Sequence, residues 1–378
     1  MEIELAINIH NYWKHSIIML PILICSFHNS FKEIDNAENE FIENEFIILK
    51  NISINDTLKG DFIFDTGSNH TIINSENVNK HNPKSSIITD FYGNSDSISI
   101  LKNIKLDIYN HSIKNVTSRI YNISSLAKKY NIIGILGTDI ISKFCWEFNF
   151  NNNKITVNNI PFKTDSLSFI NVNFKKKSAL IDAIYIDGVY MRNFMLDSGS
   201  LSEITSNDTL LSTNNSEHYK EENLVQSVTK KKLEKLNILL SYNSTIKIGN
   251  YDFKNIKLQT NPKYRNLIGL DFFPKNTLVF DGISSKLYFK NVTKLKSQGP
   301  SKKGFRFGLD KNNNIIIVAV IEKSESYLKG MKLGDEIITV NKLNINYYKT
   351  RIDELNQLRD NIKEIVISRN YEIMKYNF

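Results

Sequence analysis

Cysteine is nearly absent from this sequence. Cys25 and Cys145 are its only two cysteines in 378 residues, which excludes a framework of several disulfides. The folded chain must therefore be held together by burial of apolar side chains, and a hydrophobic content of 41% is enough for that. Cys145 lies in the apolar stretch 144–150 without a nearby histidine motif, so we interpret it as a packing residue.

Long apolar runs are missing as well, apart from one near the N-terminus. The run Ile17 to Cys25 follows Lys14 and His15 and has the length of the apolar region of a signal peptide. This pattern predicts export to the periplasm, the cell surface or the medium, while a buried first strand is the alternative. No later segment is apolar for long enough to cross a bilayer, so we expect no transmembrane span.

Motifs of metallohydrolases and serine hydrolases are lacking. Neither His-Glu-x-x-His nor Gly-x-Ser-x-Gly occurs in the chain. The histidines at 70, 81, 111 and 218 have no spacing suited to zinc and no neighbouring acidic cluster. The sequence therefore predicts neither a metal nor another cofactor.

A concentrated basic stripe is lacking too, although the net charge is +8. The lysines are spread along the chain among abundant asparagine and isoleucine, and no motif that reads bases accompanies them. The charge is typical of a solvated basic surface, and nucleic acid is not an expected partner.

What the sequence does contain is an internal repeat. A four-residue motif starting at Asp65 recurs at Asp197, an offset of 132 residues, and the same offset aligns Phe62 with Phe194 and Gly137 with Gly269. Two copies in register with flanking matches are far rarer than one chance tetrapeptide, so the repeat indicates a duplication. The paired motif residues are Asp65 with Asp197, Thr66 with Ser198, Gly67 with Gly199 and Ser68 with Ser200.

Runs of β-branched and aromatic residues predict β structure in both copies, with each motif at the end of a buried strand. A different unit begins near Lys294, where the stretch Ser297–Ser301 has the composition of a linker. We predict a signal peptide and leader at 1–35, a first lobe at 36–160, a second lobe at 161–293 and a tail domain at 300–378.

The repeated aspartates suit hydrolysis of a peptide bond. Without a metal or a covalent nucleophile, one group must take a proton from water and another must give a proton to the carbonyl oxygen. Two carboxylates about 3 Å apart can do both, because they cannot both ionise. Asp65 and Asp197 are the predicted pair, and Gly67 and Gly199 let the backbone turn beside them.

These motifs resemble the aspartic proteases of the pepsin and retroviral families. Ile132-Ile133-Gly134 or Leu136-Gly137 in the first copy, and Ile268-Gly269 in the second, are similar to the family's second signature, an apolar run followed by glycine. The resemblance covers roughly residues 46–289. Short lobes without paired cysteines favour a compact retropepsin-like lobe fused twice, a type found in bacteria.

The resemblance implies a mainly β fold with two pseudo-symmetric β-barrel lobes and a monomeric endopeptidase acting on extended polypeptides. Asp65 and Asp197 would activate water, and Thr66 and Ser198 would lock the two turns together. The hydroxyls of Ser68 and Ser200 would bond the outer carboxylate oxygens. One further pair would form the tip of the hairpin that covers the substrate, Tyr92 and Gly93.

The tail resembles a small α+β PDZ domain of the kind associated with bacterial proteases. Residues 330–341 are close to that family's Gly-Leu-x-x-Gly-Asp-x-Ile signature. The resemblance implies that a C-terminal peptide adds to a sheet edge and that backbone N–H groups capture its carboxylate. The residues implied are Gly304, Phe305, Arg306 and Phe307. A tail that only packs on the protease is the alternative.

A second class of function also fits the sequence. A pseudoprotease scaffold would hold peptides in the cleft and in the tail without cutting them. Complete motifs in both copies favour the enzyme, since a degenerate copy is expected to have lost at least one aspartate. Cleavage of an unfolded protein separates the two hypotheses.

Overall fold

Strands dominate the fold, as the sequence pattern predicts. The computed structural model has 57% strand and 10% helix and contains a six-stranded barrel, which confirms the mainly β class. It describes residues 39–43, 46–78, 85–89, 95–123, 131–174, 178–213, 218–226, 233–273, 275–290, 299–310 and 312–378. The predicted signal peptide lies outside these residues.

The first copy of the repeat contributes ten described strands, one short α-helix and one 3₁₀ helix, Ser75–Asn77. In chain order these are β1 Asn39–Glu43, β2 Ile47–Ile54, β3 Leu58–Phe64, β4 Ile72–Asn74, β5 Ser85–Thr89, β6 Ser95–Ile108, β7 His111–Tyr121, β8 Ile132–Leu136, α1 Thr138–Ile141, β9 Cys145–Asn149 and β10 Lys154–Asn158.

The second copy repeats this order strand for strand, so that β1 to β10 correspond to β11 to β20. Its 3₁₀ helix is Leu270–Phe272. The other elements are β11 Ser168–Asn171, β12 Leu180–Ile186, β13 Val189–Asp197, β14 Ile204–Ser206, α2 Leu210–Thr213, β15 His218–Gln226, β16 Leu233–Ile248, β17 Tyr251–Thr260, β18 Leu267–Gly269, β19 Thr277–Asp281 and β20 Lys286–Phe289.

The strand pairings repeat along with the strands. β3 pairs in parallel with β8 and β4 with β7, and the second copy repeats both as β13 with β18 and β14 with β17. Antiparallel pairs of β6 with β7 and β5 with β6 recur as β16 with β17 and β15 with β16. The duplication seen in the sequence is therefore a duplication of topology.

One sheet joins the two copies edge to edge. Its strand order is β11-β20-β19-β9-β10-β1, and β9 pairs antiparallel with its own counterpart β19. Glu147 lies opposite Val279, the residue 132 positions later, so the pseudo-two-fold axis passes through this pair. Strands of equivalent sequence pair well across such an axis because each presents the same edge to the other.

Aromatic side chains fill the core beneath this sheet. Phe64 packs edge-on against Trp146, Phe148 and Phe280, with ring centroids 4.9 to 5.2 Å apart. Phe148 and Phe280 are counterparts in the repeat, and their rings meet at 5.7 Å. All four side chains are fully buried, so both copies share one apolar core.

The tail forms a second core of its own, around Phe305, Ile317, Leu355 and Ile367. Besides its α-helices and strands it has two 3₁₀ helices, Ile345–Thr350 and Arg359–Asn361. The remaining elements are β21 Phe305–Leu309, β22 Ile315–Ile321, α3 Glu325–Leu328, β23 Glu336–Val340, β24 Leu343–Asn344, α4 Ile352–Gln357, β25 Glu364–Arg369 and β26 Glu372–Asn377.

The Gly-Asp motif of the tail has a local structural explanation. Gly330 and Gly334 adopt left-handed backbone with φ of +80° and +85°, which side chains with a Cβ rarely adopt. Asp335 is buried and pairs through both carboxylate oxygens with Arg369 on β25, at 2.6 Å each. The motif therefore turns the chain and anchors β23 to β25.

Candidate active site

Both aspartates stand at the carboxyl end of a buried strand. Asp65 follows β3 directly, and Asp197 is the last residue of β13. Phe64 lies opposite Leu136 in the parallel pair of β3 and β8, and the same register recurs 132 residues later in β13 and β18. Because these strands are apolar and buried, their packing sets where each aspartate emerges.

The two carboxylates face each other across paired glycines. Asp65 Oδ1 accepts hydrogen bonds from the N–H groups of Gly67 at 2.8 Å and Ser68 at 3.2 Å, and Asp197 Oδ1 accepts one from Gly199 at 2.9 Å. A Cβ on Gly67 would lie 2.5 Å from Asp197 Cγ, and one on Gly199 would lie 2.8 Å from Asp65 Cγ. Only glycine permits this approach.

Burial raises the pKa of both carboxyl groups. For Asp197, repulsion from the charge of Asp65 adds to burial, and its pKa lies well above the usual value. For Asp65, hydrogen bonds from Gly67 and from the Asp197 side chain oppose the effect of burial on the pKa. Because two adjacent carboxyl groups cannot both ionise readily, the pair holds one proton between them.

Thr66 and Ser198 form a reciprocal hydrogen-bond network between the two motifs. Thr66 Oγ1 donates to the Leu196 carbonyl at 2.8 Å and accepts from the Ser198 N–H at 3.0 Å. Ser198 Oγ donates to the Phe64 carbonyl at 2.9 Å and accepts from the Thr66 N–H at 3.0 Å. Both hydroxyls are buried, and each has both a donor and an acceptor partner. The predicted residues thus link the two strand ends directly.

The hydroxyls of Ser68 and Ser200 have partners other than the predicted carboxylate oxygens. Ser68 Oγ donates to the His70 carbonyl at 2.8 Å, and Ser200 Oγ shares a 2.8 Å hydrogen bond with Ser202 Oγ. Short polar side chains in a turn readily bond to groups two residues away, and here that local bond replaces the expected one. Ser68 reaches Asp65 through its backbone N–H instead.

The glycine of the second signature packs against the loop that follows each aspartate. A Cβ on Gly137 would lie 2.5 Å from the His70 carbonyl carbon, and one on Gly269 would lie 2.1 Å from the Ser202 carbonyl oxygen. The residue after each glycine donates its N–H to the carbonyl of the motif's last serine, at 2.8 Å in both copies. The second signature therefore supports the dyad loops through backbone contacts.

A further pair of residues beside the aspartate loops, Thr71 and Asp139, differs between the two copies and was not predicted as part of the site. Asp139 Oδ1 accepts hydrogen bonds from both the N–H and the hydroxyl of Thr71, at 2.9 Å each. The offset of 132 places Glu203 and Asp271 at these positions, and Glu203 accepts from the Lys257 N–H at 2.6 Å instead. Burial raises the pKa of Glu203 to about 7. The 132-residue offset could have identified this pair from the sequence.

The predicted tip of the covering hairpin, Tyr92 and Gly93, lies outside the described residues. The strands on either side of it, β5 and β6, pair antiparallel with Ile87 opposite Ser97. In the second copy β15 and β16 form the corresponding hairpin, whose ladder runs from His218 to Gln226.

The sheet edge predicted to bind a C-terminal peptide, at residues 304–307, is occupied by the chain itself. Asn356 Oδ1 accepts from the Phe307 N–H at 2.9 Å, and Asn356 Nδ2 donates to the Phe307 carbonyl at 3.1 Å. Arg359 Nη1 donates to the Phe305 carbonyl at 3.0 Å. An added strand would have to displace these side chains, so this edge is closed in the structure.

Among the residues that the structure describes, no group of three or more His, Cys, Asp or Glu side chains is arranged to hold a metal ion. Within the same described ranges, none of the helices has both the length and the apolarity needed to cross a membrane. The sequence matches no model of a known protein family and no curated protein.

Proposed function

We propose that this chain is an aspartic endopeptidase in which Asp65 and Asp197 activate a water molecule to hydrolyse peptide bonds. The observation that carries the proposal is a pair of half-buried carboxylates that face each other across Gly67 and Gly199, at the ends of two equivalent strands. Two carboxyl groups held this close repel one another when both are ionised, which destabilises a fold, so their presence supports a functional role.

The hydrogen bonds assign a role to each carboxylate. Asp65 accepts two backbone N–H groups at Oδ1 and is the ionised base, while Asp197 accepts one and is the acid. Asp65 takes a proton from water as the water oxygen attacks the carbonyl carbon, and Asp197 gives its proton to the carbonyl oxygen. Asp65 then passes its proton to the amide nitrogen as the C–N bond breaks, and Asp197 recovers one from the intermediate's hydroxyl.

The substrate class we propose is extended polypeptide with large apolar side chains on both sides of the scissile bond. The strand hairpins β5–β6 and β15–β16 are equivalent elements of the two copies, and such hairpins suit the binding of a strand-like chain. We also propose the lobe boundaries 36–160 and 161–293 and a PDZ-like tail at 300–378. The closed edge of β21 favours a tail that packs on the protease over one that recruits C-terminal peptides.

The test is hydrolysis of casein and of a peptide library by purified Asp65→Asn and Asp197→Asn variants. Each variant should lose at least about 1000-fold in kcat/KM while keeping the wild-type circular dichroism spectrum, because one carboxyl cannot serve as both acid and base. Asp252→Asn, which removes an exposed carboxylate of the second copy, is the matched control and should cut normally.

A pseudoprotease scaffold gives a different result in the same experiment. It would bind the library peptides and a statine-type inhibitor without releasing products at any pH between 3 and 8. Wild-type rates in either asparagine variant would instead disprove the dyad.

A further inference from the structure

Strand β15 of the second-copy hairpin is paired on both edges. β16 occupies one edge, and β22 of the tail occupies the other, with Glu222 opposite Val320 and Asn223 opposite Ala319. The Glu322 N–H extends this ladder by donating to the Lys220 carbonyl at 2.7 Å. An outer hairpin strand would ordinarily have a free edge, and here the tail completes it.

The ladder is reinforced by a buried polar contact. Arg306 Nη2 donates to Asn223 Oδ1 at 3.1 Å, and Asn223 Nδ2 donates to Glu221 Oε1 at 3.1 Å. Asn223 is only 5% exposed. Its amide is thus satisfied by one residue of the tail and one of its own strand, and loss of the arginine would leave a buried oxygen without that donor.

An apolar cluster lies under the same junction. Ile321 at the end of β22 packs with buried side chains of β16, with Tyr219 and Val225 of β15 at its margin. The other cluster members are Leu236, Ile238, Leu240 and Tyr242 on β16 and Tyr264 in the loop between β17 and β18. Because Ile321 is buried against the hairpin, separation of the tail would expose apolar surface on both sides.

The sheet runs without a break from the dyad to the tail. Its strand order is β12-β13-β18-β14-β17-β16-β15-β22, so the strand that carries Asp197 and the tail belong to one hydrogen-bonded ladder. On its far side, β21 is closed by Asn356 and Arg359. The tail therefore pairs one edge of its sheet with the hairpin, and its own residues Asn356 and Arg359 cover the other edge.

We propose that the tail is a clamp that positions the β15–β16 hairpin for substrate binding, with Arg306 and Asn223 as the positioning residues. This inference rests on the proposed function, since β15–β16 corresponds to the hairpin β5–β6 that would cover the substrate. A clamped hairpin presents one fixed wall of the site, while the chemistry at Asp65 and Asp197 does not depend on it. Loosening the clamp therefore weakens substrate binding and leaves the chemical step unchanged.

The test uses the full chain with Arg306→Met, which removes the guanidinium and keeps the apolar stem. Hydrogen exchange of the 218–226 amides should rise about tenfold, and KM for an apolar peptide should rise severalfold with kcat unchanged. Asn223→Ala should behave like Arg306→Met. Arg306→Lys, which can still donate to Asn223, should restore most of the protection and of the KM.

Arg351→Met is the matched control, because the Arg351 side chain belongs to the tail and donates to Tyr347 and Glu354 there. It should change neither exchange at 218–226 nor KM. Unchanged exchange in Arg306→Met and Asn223→Ala would overturn the clamp, and faster exchange with an unchanged KM would overturn its role in substrate binding. If the wild-type chain cuts no peptide, the proposed function fails, while hydrogen exchange still decides whether the tail holds the hairpin.

Discussion

At the residue scale, Glu203 of the second copy differs in its surroundings from Thr71, which occupies the equivalent position in the first copy. Thr71 in the first copy donates two hydrogen bonds to Asp139, whereas Glu203 in the second copy stands near Asp271, a second carboxylate. Burial is the main cause of its raised pKa, and the Lys257 N–H opposes it. The side chain therefore titrates near neutral pH, six residues after the dyad aspartate Asp197.

This environment predicts a pH-dependent stability that Glu203→Gln removes. The folded-state pKa of about 7 lies above the usual 4.5, so the contribution is fully present below pH 4.5 and is lost as the pH rises to about 7. The loss is at most about 3 kcal/mol in the free energy of unfolding. Urea denaturation at pH 4.5, 6 and 7.5 should show a shallower decline in the glutamine variant.

The exposed acid Glu372 provides the control for this measurement. Glu372→Gln should leave the pH dependence of the wild type in place. An equally steep decline in Glu203→Gln would show that other groups cause it.

At the element scale, the geometry of the site depends on how the carboxyl ends of β3 and β13 are joined by hydrogen bonds. β3 and β13 come from different copies, yet each is followed within two residues by a side chain, Thr66 or Ser198, whose hydroxyl donates to a carbonyl of the other strand. The four hydrogen bonds of Thr66 and Ser198 lie in a buried environment without competing solvent, where each is costly to break. They hold the two aspartates at a fixed separation.

Replacing Thr66 by valine tests this link, because valine keeps the shape and removes the hydroxyl. The Leu196 carbonyl and the Ser198 N–H would each lose a buried partner, and the free energy of unfolding should fall by about 2–4 kcal/mol. Activity should fall as well, since the carboxylates lose their fixed separation. Urea denaturation and casein hydrolysis measure the two effects.

Thr66→Ser keeps the hydroxyl and is the control for this prediction. It should remain within about 1 kcal/mol of the wild-type stability. A valine variant as stable and active as the serine variant would show that the hydroxyl network is dispensable.

At the scale of the whole molecule, the two copies share a sheet and a core and should unfold together. β9 pairs with β19, and Phe64 and Phe148 of the first copy pack against Phe280 of the second. Neither copy can bury this cluster without the other. The copies are thus one cooperative unit even though each repeats the same topology.

Phe280→Ala tests that cooperativity from the second copy. The cavity should lower the free energy of unfolding by about 3–5 kcal/mol. The unfolding transition followed by the fluorescence of Trp146, in the first copy, should show the same loss. In a Trp13→Phe background, Trp146 fluorescence and far-ultraviolet circular dichroism should give coincident transitions with and without the substitution. Tyr371→Ala, which truncates a fully exposed aromatic ring, should leave the midpoint unchanged.

Two separate transitions would contradict the shared core. A Trp146 midpoint that stays at the wild-type value in Phe280→Ala would do the same. Either result would mean that the first copy folds independently of the second.

The sequence by itself determined those features that repeat or depend on local patterns. The offset of 132 identified the two aspartates, their glycines and the Thr66/Ser198 pair, because a duplicated chain carries equivalent residues at equivalent strand ends. Alternating β-branched and aromatic residues determined the mainly β class. Glycine at 330 and 334 permits the left-handed backbone found there.

Only the tertiary structure decided which distant strand edges meet. No local pattern indicates that Asn356 closes the edge of β21, or that Asn223 lies opposite Ala319 in a ladder between hairpin and tail. The Ser68 hydroxyl could have donated either to a carboxylate or to a nearby carbonyl, and ångström-scale geometry decides between the two acceptors. Such contacts are set by the packing of whole lobes, since a backbone edge or a hydroxyl accepts any partner that the fold brings within hydrogen-bond distance.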